Sequence, residues 1–286
     1  MISIPIAVYN DTFKWQLSLF WRSHKKVYGE QANKKAFAVI VERNTINEPE
    51  FKSFDWNIDI TYEICKPFFE FEKDIKDPIF VPLNIQYGLK QIIHCFDDDE
   101  IIEVLDCDMF HIKPHPDVKP KDDEIYVSAI YENWHLKSLT SNKHVIEKYL
   151  KPNHGDYNGG FVPLVGKAKT FKKILDDWID FHVKIVKDNP ASNLESIRWW
   201  SGMYSFQVAC ANNNVNLIAR DWCHVPPETS LSDSHYICHY SCDRIFDKRK
   251  IHEINLNNFP KNKYYEFVKD WYINRNNDSS KFKLFM

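Results

Sequence analysis

The stretch Ile101-Ile102-Glu103-Val104-Leu105-Asp106-Cys107-Asp108-Met109-Phe110 is a short apolar run that ends in two carboxylates one residue apart. Its β-branched, near-continuous hydrophobicity reads as a strand buried on both faces, the pattern of a parallel sheet covered by helices. Such a strand delivers Asp106 and Asp108 to the rim of the sheet. Residues two apart in extended chain point to the same side, so both carboxylates can reach one hard cation. A Mn²⁺ or Mg²⁺ held there keeps positions open for diphosphate oxygens and offsets the charge that builds on a departing nucleotide. The same three residues also suit a solvated acidic turn.

The flanking sequence supports the sheet. Strand-like runs at residues 2–8, 36–41, 101–105, 124–130 and 160–165 alternate with helical patterns at 12–27, 83–96, 167–187, 195–213 and 264–273. This order predicts an α/β fold with a mainly parallel central sheet flanked by helices. Residues 1–242 form one domain on this reading, and 243–286 form a tail. The tail's Tyr264, Phe267, Val268, Trp271 and Tyr272 recur at helical spacing, the pattern of an amphipathic helix that docks on the domain or on a partner chain. In open sheets of this kind the ligand crevice lies beyond the carboxyl ends of the strands, where Tyr9, Asn10, Asp106 and Asp108 fall.

Composition narrows the class. The 286 residues are 44% hydrophobic and 15% aromatic, which excludes a disordered chain and allows a large core. A net charge of −3 argues against broad nucleic-acid binding. No apolar run is long enough to span a bilayer, and the first residues lack the basic start of a signal peptide. The seven cysteines are odd in number and scattered, unlike a secreted disulfide framework, so a cytoplasmic compartment is expected. Cys238 and Cys242 have a spacing that admits zinc, but without a second pair they read as core thiols.

Glycine and histidine add candidate site residues. Four of only seven glycines, Gly155, Gly159, Gly160 and Gly166, fall within or just beyond residues 154–163, and Asn158-Gly159-Gly160 reads as a substrate-lining turn or a plain hairpin. Pro163 demotes the strand that holds it to an edge or a bulge. In Ser234-His235-Tyr236-Ile237-Cys238-His239-Tyr240, a short strand carries two histidines. His239 is the better candidate to complete a site with Asp106 and Asp108, and its nitrogen would suit Mn²⁺ better than Mg²⁺. Gln86 and Lys90 lie on the helix before the metal strand, facing either the donor or solvent. Asp97-Asp98-Asp99-Glu100 is a helix-to-strand turn in water, or an addition to the metal site.

The order of Asp-x-Asp, glycine turn, helix and His is that of nucleotide-sugar glycosyltransferases with the GT-A fold. Four segments carry a narrower likeness: Phe13-Lys14-Trp15-Gln16, the Val104 to Phe110 stretch with Pro114 behind it, Arg198-Trp199-Trp200-Ser201-Gly202-Met203-Tyr204-Ser205-Phe206, and Ile237-Cys238-His239-Tyr240. Across residues 2 to about 242 the chain resembles the hydroxyproline O-arabinosyltransferase and peptidyl-serine galactosyltransferase group. The resemblance implies a metal-dependent glycosyltransferase that moves a sugar from a UDP- or GDP-sugar to a glycan, lipid-linked or peptide hydroxyl. It assigns Tyr9, Asn10 and Asp11 to the base and ribose, with Gln86 and Lys90 toward the sugar or phosphate. Asp106, Asp108 and His239 would hold Mn²⁺ or Mg²⁺, while Asn158, Gly159, Gly160, Trp199 and Trp200 would shape the acceptor site.

The chain also departs from the group. Gly202 stands where the family block tends to carry Glu, so no carboxylate can be carried over there. The group's members are usually anchored in the secretory pathway, and the lack of an anchor favours a sugar or lipid-linked acceptor over a peptide. A base is offered by Glu195, Asp221 or Asp233; Glu195 stands with Asp108 as a catalytic candidate, and inversion or retention stays open. Two other classes are weighed. A sugar-nucleotide-forming nucleotidyltransferase would want a glycine-rich basic loop near the amino terminus, which is missing. A non-catalytic carbohydrate-binding protein would use the aromatic surface alone.

Overall fold

The computed structural model describes residues 1–43, 56, 58–75, 82–129, 142–157, 160–189, 195–225, 232–240, 266, 268–270 and 272–274. In chain order the elements are β1 (Ile2–Val8), α1 (Asp11–Tyr28), β2 (Ala38–Val41), β3 (Tyr62–Cys65), α2 (Leu83–Ile92), β4 (Ile101–Asp106), β5 (Met109–His111) and β6 (Glu124–Ala129). They continue with α3 (Lys143–Glu147), β7 (Gly160–Lys167), α4 (Ala168–Asp188), α5 (Glu195–Asn212), β8 (Asn216–Arg220), β9 (Cys223–His224) and β10 (Ile237–His239). The main sheet runs β3-β2-β1-β4-β7-β6-β8, and a small sheet runs β5-β10-β9. Parallel pairs join β1 to β2, β1 to β4, β2 to β3 and β6 to β8, while β7 lies antiparallel between β4 and β6. The fold is therefore the mainly parallel α/β class that the alternation predicts.

The centre of the sheet is buried on both faces and mostly apolar, with Ser3 and Glu103 the buried polar exceptions on β1 and β4. Ile4, Ala7, Ile102, Val104 and Leu105 are all fully buried. On α4 the stripe of Phe171, Ile174, Leu175, Trp178, Phe181 and Ile185 turns inward and is buried throughout. Trp178 donates its Nε1–H to the Gly202 carbonyl at 2.9 Å, which fixes α4 against α5. Gly202 sits at that junction: a Cβ there would lie 3.4 Å from His182 Cε1 and 3.5 Å from Gln86 Nε2.

Pro163 lies in a central strand, and the sheet accommodates it with a bulge. Along β6 and β7, Ser128 pairs with Phe161, but its neighbour Val127 pairs with Leu164, so Val162 and Pro163 stand outside the ladder. Gly160 serves the same contact. A Cβ at this position would lie 2.2 Å from Val127 Cγ2 and 2.9 Å from the Ser128 carbonyl oxygen. The close approach that requires glycine is thus to a neighbouring strand. Gly160→Ala should destabilise the fold by about 1–3 kcal/mol through overpacking. A thermal midpoint equal to that of the parent chain would show that the two strands can part at no cost.

Of the tail, residues 266, 268–270 and 272–274 are helical. Val268 is fully buried, and Asp270 pairs with Arg22 of α1, Nε to Oδ2, at 3.0 Å. Among the described residues no helix is long and apolar enough to cross a membrane.

Candidate active site

The sheet places its switch point between β1 and β4. From β1 the chain moves to β2 on one side, while β4 pairs on the other with Ile6 opposite Asp106. The crevice such a reversal creates opens where both strands end, at Tyr9 and Asp106. Beyond Asp106 the chain turns at Cys107 and Asp108 into β5. Cys107 points inward and donates its thiol hydrogen to Gln16 Oε1 at 2.9 Å, so the glutamine of the Phe13-Lys14-Trp15-Gln16 block pins this turn to α1.

Antiparallel pairing completes the cluster. Met109, Phe110 and His111 of β5 pair with His239, Cys238 and Ile237 of β10, and the Tyr240 amide donates to the Asp108 carbonyl at 3.1 Å. His239 Nε2 then lies 3.3 Å from Asp108 Oδ1 and 3.8 Å from Asp106 Oδ2. One ligand atom from each of the three lies within 4.8 Å of the others. All three side chains keep partial access to solvent. Two carboxylates and one imidazole at this separation are a donor set that fits a small divalent cation with positions left for other ligands.

Around this cluster the other candidates divide. Tyr9 is half-buried and stacks on Trp56, with ring centroids 5.2 Å apart and planes 11° from parallel. Asn10 caps α1, accepting from the Phe13 amide at 3.0 Å. Asp11 opens that helix; its side chain, like those of Glu195 and Trp199 on α5, lies outside the description. Asn158 and Gly159 lie outside the described residues, and Gly160 is buried in the β6–β7 ladder. Trp200 is partly buried against the core. Asp221 pairs with the buried His235 at 3.0 Å, which gives that histidine a partner away from Asp106 and Asp108.

Some side chains point elsewhere. Gln86 is fully buried next to Gly202, leaving no surface for a donor. Lys90 pairs with Asp176 of α4 at 2.8 Å, near the end of a helix that runs back toward the amino edge of the sheet. Asp98 pairs with Lys172, and Asp99 with Lys167 and Lys169, at the amino end of β4, the far end from Asp106. Helix periodicity alone cannot tell which end of α2 meets the crevice, and topology decides it.

A second polar cluster escapes the sequence reading. Glu103, three residues before Asp106 and so on the opposite face of β4, is fully buried. Its Oε2 receives Ser3 Oγ at 2.7 Å, His111 Nε2 at 3.1 Å and His115 Nε2 at 2.9 Å, and its Oε1 receives the Tyr236 hydroxyl at 2.6 Å. Behind His111, His24 Nδ1 lies 3.2 Å from His111 Nδ1. Burial pushes the Glu103 carboxyl up, but His115 and His111 outweigh it and hold the group well below the ordinary carboxylate range. Burial, helped by His111 and His115, pushes the His24 imidazole down to about 2. The signals were a charge inside an apolar strand and the His-x-x-x-His spacing of His111 and His115.

A family model described as the hydroxyproline O-arabinosyltransferase family N-terminal domain matches residues 9–219. No curated protein matches. Among solved structures, the galactosyltransferase LgtC in complex with donor and acceptor sugar analogs is 11% identical with a TM-score of 0.52, covering 94% of this chain and 96% of that one. An active-site mutant of LgtC is 9% identical with a TM-score of 0.49, covering 85% and 88%. The first likeness is one of fold, the GT-A arrangement expected from the order of motifs.

Proposed function

The chain is a glycosyltransferase that belongs to the hydroxyproline O-arabinosyltransferase family, and on that premise we propose that it moves a sugar from a UDP- or GDP-sugar to a hydroxyl acceptor at the crevice beyond β1 and β4. The observation that carries this reading is the convergence of Asp106, Asp108 and His239 at the end of the switch strand. These three residues would hold a divalent cation, and the imidazole favours Mn²⁺ over Mg²⁺. When bound, the cation would supply positive charge to the diphosphate as the glycosidic bond breaks.

The chain's own residues have separate tasks. Tyr9, backed by Trp56, presents an aromatic face on which a nucleobase can stack. Asn10 acts through its cap: it sets the first turn of α1, whose positive dipole end favours an anion at the rim. Asp11 is assigned to the ribose. Cys107 and Gln16 keep the Asp106-Cys107-Asp108 turn in place, so that both carboxylates stay on the crevice side. The acceptor, a glycan, lipid-linked or peptide hydroxyl, is assigned to Asn158, Gly159, Trp199 and Trp200, with Glu195 as the candidate base. Residues 1–242 form the catalytic domain on this reading, and 243–286 its docked tail.

A screen of nucleotide-sugars for Mn²⁺-dependent hydrolysis tests the assignment. One UDP- or GDP-sugar should be cleaved slowly without acceptor, naming base and sugar together. Failure of every donor to be cleaved or to bind with Mn²⁺ present would remove the reading. Tyr9→Ala should weaken nucleoside diphosphate binding by about 1–2 kcal/mol, roughly tenfold, in calorimetric titration. Unchanged affinity would place the base elsewhere.

A further inference from the structure

The Glu103 cluster is more than a satisfied buried charge. A carboxylate oxygen has about two lone-pair sites. Glu103 Oε2 nevertheless faces three groups, Ser3 Oγ at 2.7 Å, His111 Nε2 at 3.1 Å and His115 Nε2 at 2.9 Å, while Oε1 receives the Tyr236 hydroxyl. Ser3 Oγ also lies 2.9 Å from His115 Nε2. Four polar atoms from three parts of the chain thus surround one small volume. We propose that Glu103, His111 and His115 form a structural Zn²⁺ site, with Ser3 Oγ or a water as the fourth ligand.

The chemistry fits zinc in its ligand types, spacing and surroundings. Two imidazole nitrogens and one carboxylate oxygen are common zinc ligands, and His-x-x-x-His is a common zinc spacing. A tetrahedral ion with ligands near 2.0–2.1 Å needs ligand separations of roughly 3.3 Å, so Glu103 Oε2 need move only a few tenths of an ångström further from His111 Nε2 and His115 Nε2, now at 3.1 and 2.9 Å. The second shell is already present. Tyr236 holds the carboxylate oxygen that would not bind metal, and His24 Nδ1 stands 3.2 Å from the far nitrogen of His111. For His111 to bind through Nε2, its proton must sit on Nδ1, where neutral His24 can accept it.

Such an ion would join β1 through Ser3, β4 through Glu103, β5 through His111 and the segment after β5 through His115. It lies across β4 from Asp106, so it is separate from the site proposed for the donor. Its role would be to anchor β5, which follows Asp108 directly.

The test removes the donor site first. The 286-residue chain carrying both Asp106→Asn and Asp108→Asn is expressed with added zinc, desalted and assayed for metal by mass spectrometry. About one equivalent of zinc per chain is expected, and adding His115→Gln should lower this by at least tenfold. X-ray absorption of the bound zinc should show two imidazole shells, a reading that stands even if the His115→Gln chain does not fold. Zinc below about 0.1 equivalent in the double-substituted background, or zinc retained without imidazole ligands, would overturn the proposal. So would full retention in the folded His115→Gln chain.

Discussion

Asp108→Ala should lower donor cleavage by about a thousandfold or more, equivalent to roughly 4 kcal/mol of transition-state stabilisation. Asp108 is the least exposed member of its cluster and the one whose oxygen lies nearest His239 Nε2, at 3.3 Å. Its loss leaves one carboxylate and one imidazole, too few protein ligands to hold a weakly bound Mn²⁺ against water. The measurement has two parts. Steady-state hydrolysis gives the fall in rate, and thermal shift with nucleoside diphosphate should lose its dependence on Mn²⁺. His239→Ala should move both readouts in the same direction by a smaller amount. A variant at Asp108 that kept Mn²⁺-linked binding would refute the assignment of this cluster to the donor phosphates.

In the metal-free chain, Glu103→Gln should cost about 3–5 kcal/mol of stability, the loss expected when one partner of a buried ionic network is removed. The amide keeps the shape but turns a donor toward Ser3, His111, His115 or Tyr236, whose own donors then lack an acceptor. The pH dependence has a defined sign. Because the folded carboxyl titrates well below its unfolded value near 4.3, the stability it contributes is fully present above that value and is lost as pH falls through the folded pKa. His24 and His115 act in the same direction from a higher start. Both are pushed below their ordinary value of about 6.5, so the unfolded chain gains protons first and stability falls as pH drops below it. With metal stripped by chelator, the stability of the parent to chemical denaturation should therefore fall in two stages on acidification, and Glu103→Gln should lack the lower one. An equal slope below pH ~4.3 in both chains would show that Glu103 is not ionised in the fold.

Strands buried on both faces were the most legible part of the chain. β1 and β4 announce themselves because short β-branched runs such as Ile101 to Leu105, interrupted only by Glu103, suit a strand buried on both faces. Long helices with one apolar stripe, such as α4, were equally plain. The edges were not. β3 carries Tyr62 and Glu63 into solvent, and β8 ends in Ala219 and Arg220, so neither shows the pattern of a buried strand. β5, β9 and β10 are each two or three residues long and owe their form to pairing across distant sequence.

The site divides in the same way. Asp106, Asp108 and His239 could be matched from order alone, because strand ends and a returning histidine follow from topology. Gln86 and Lys90 could not be placed, since the burial of one and the pairing of the other depend on α4 and α5, which come later in the chain. Gly160 was noticed for its scarcity and explained only by Val127 and Ser128 across the ladder.

The pairing of β5 with β10 has a consequence during synthesis. The strand that carries His239 must emerge from the ribosome before it can be laid beside Met109, whereas β1 to β4 are complete long before. A nascent or truncated chain that stops short of β10 can gather most of the sheet and still lack the third residue of the proposed cation site, so on this proposal catalytic competence would arrive late in translation.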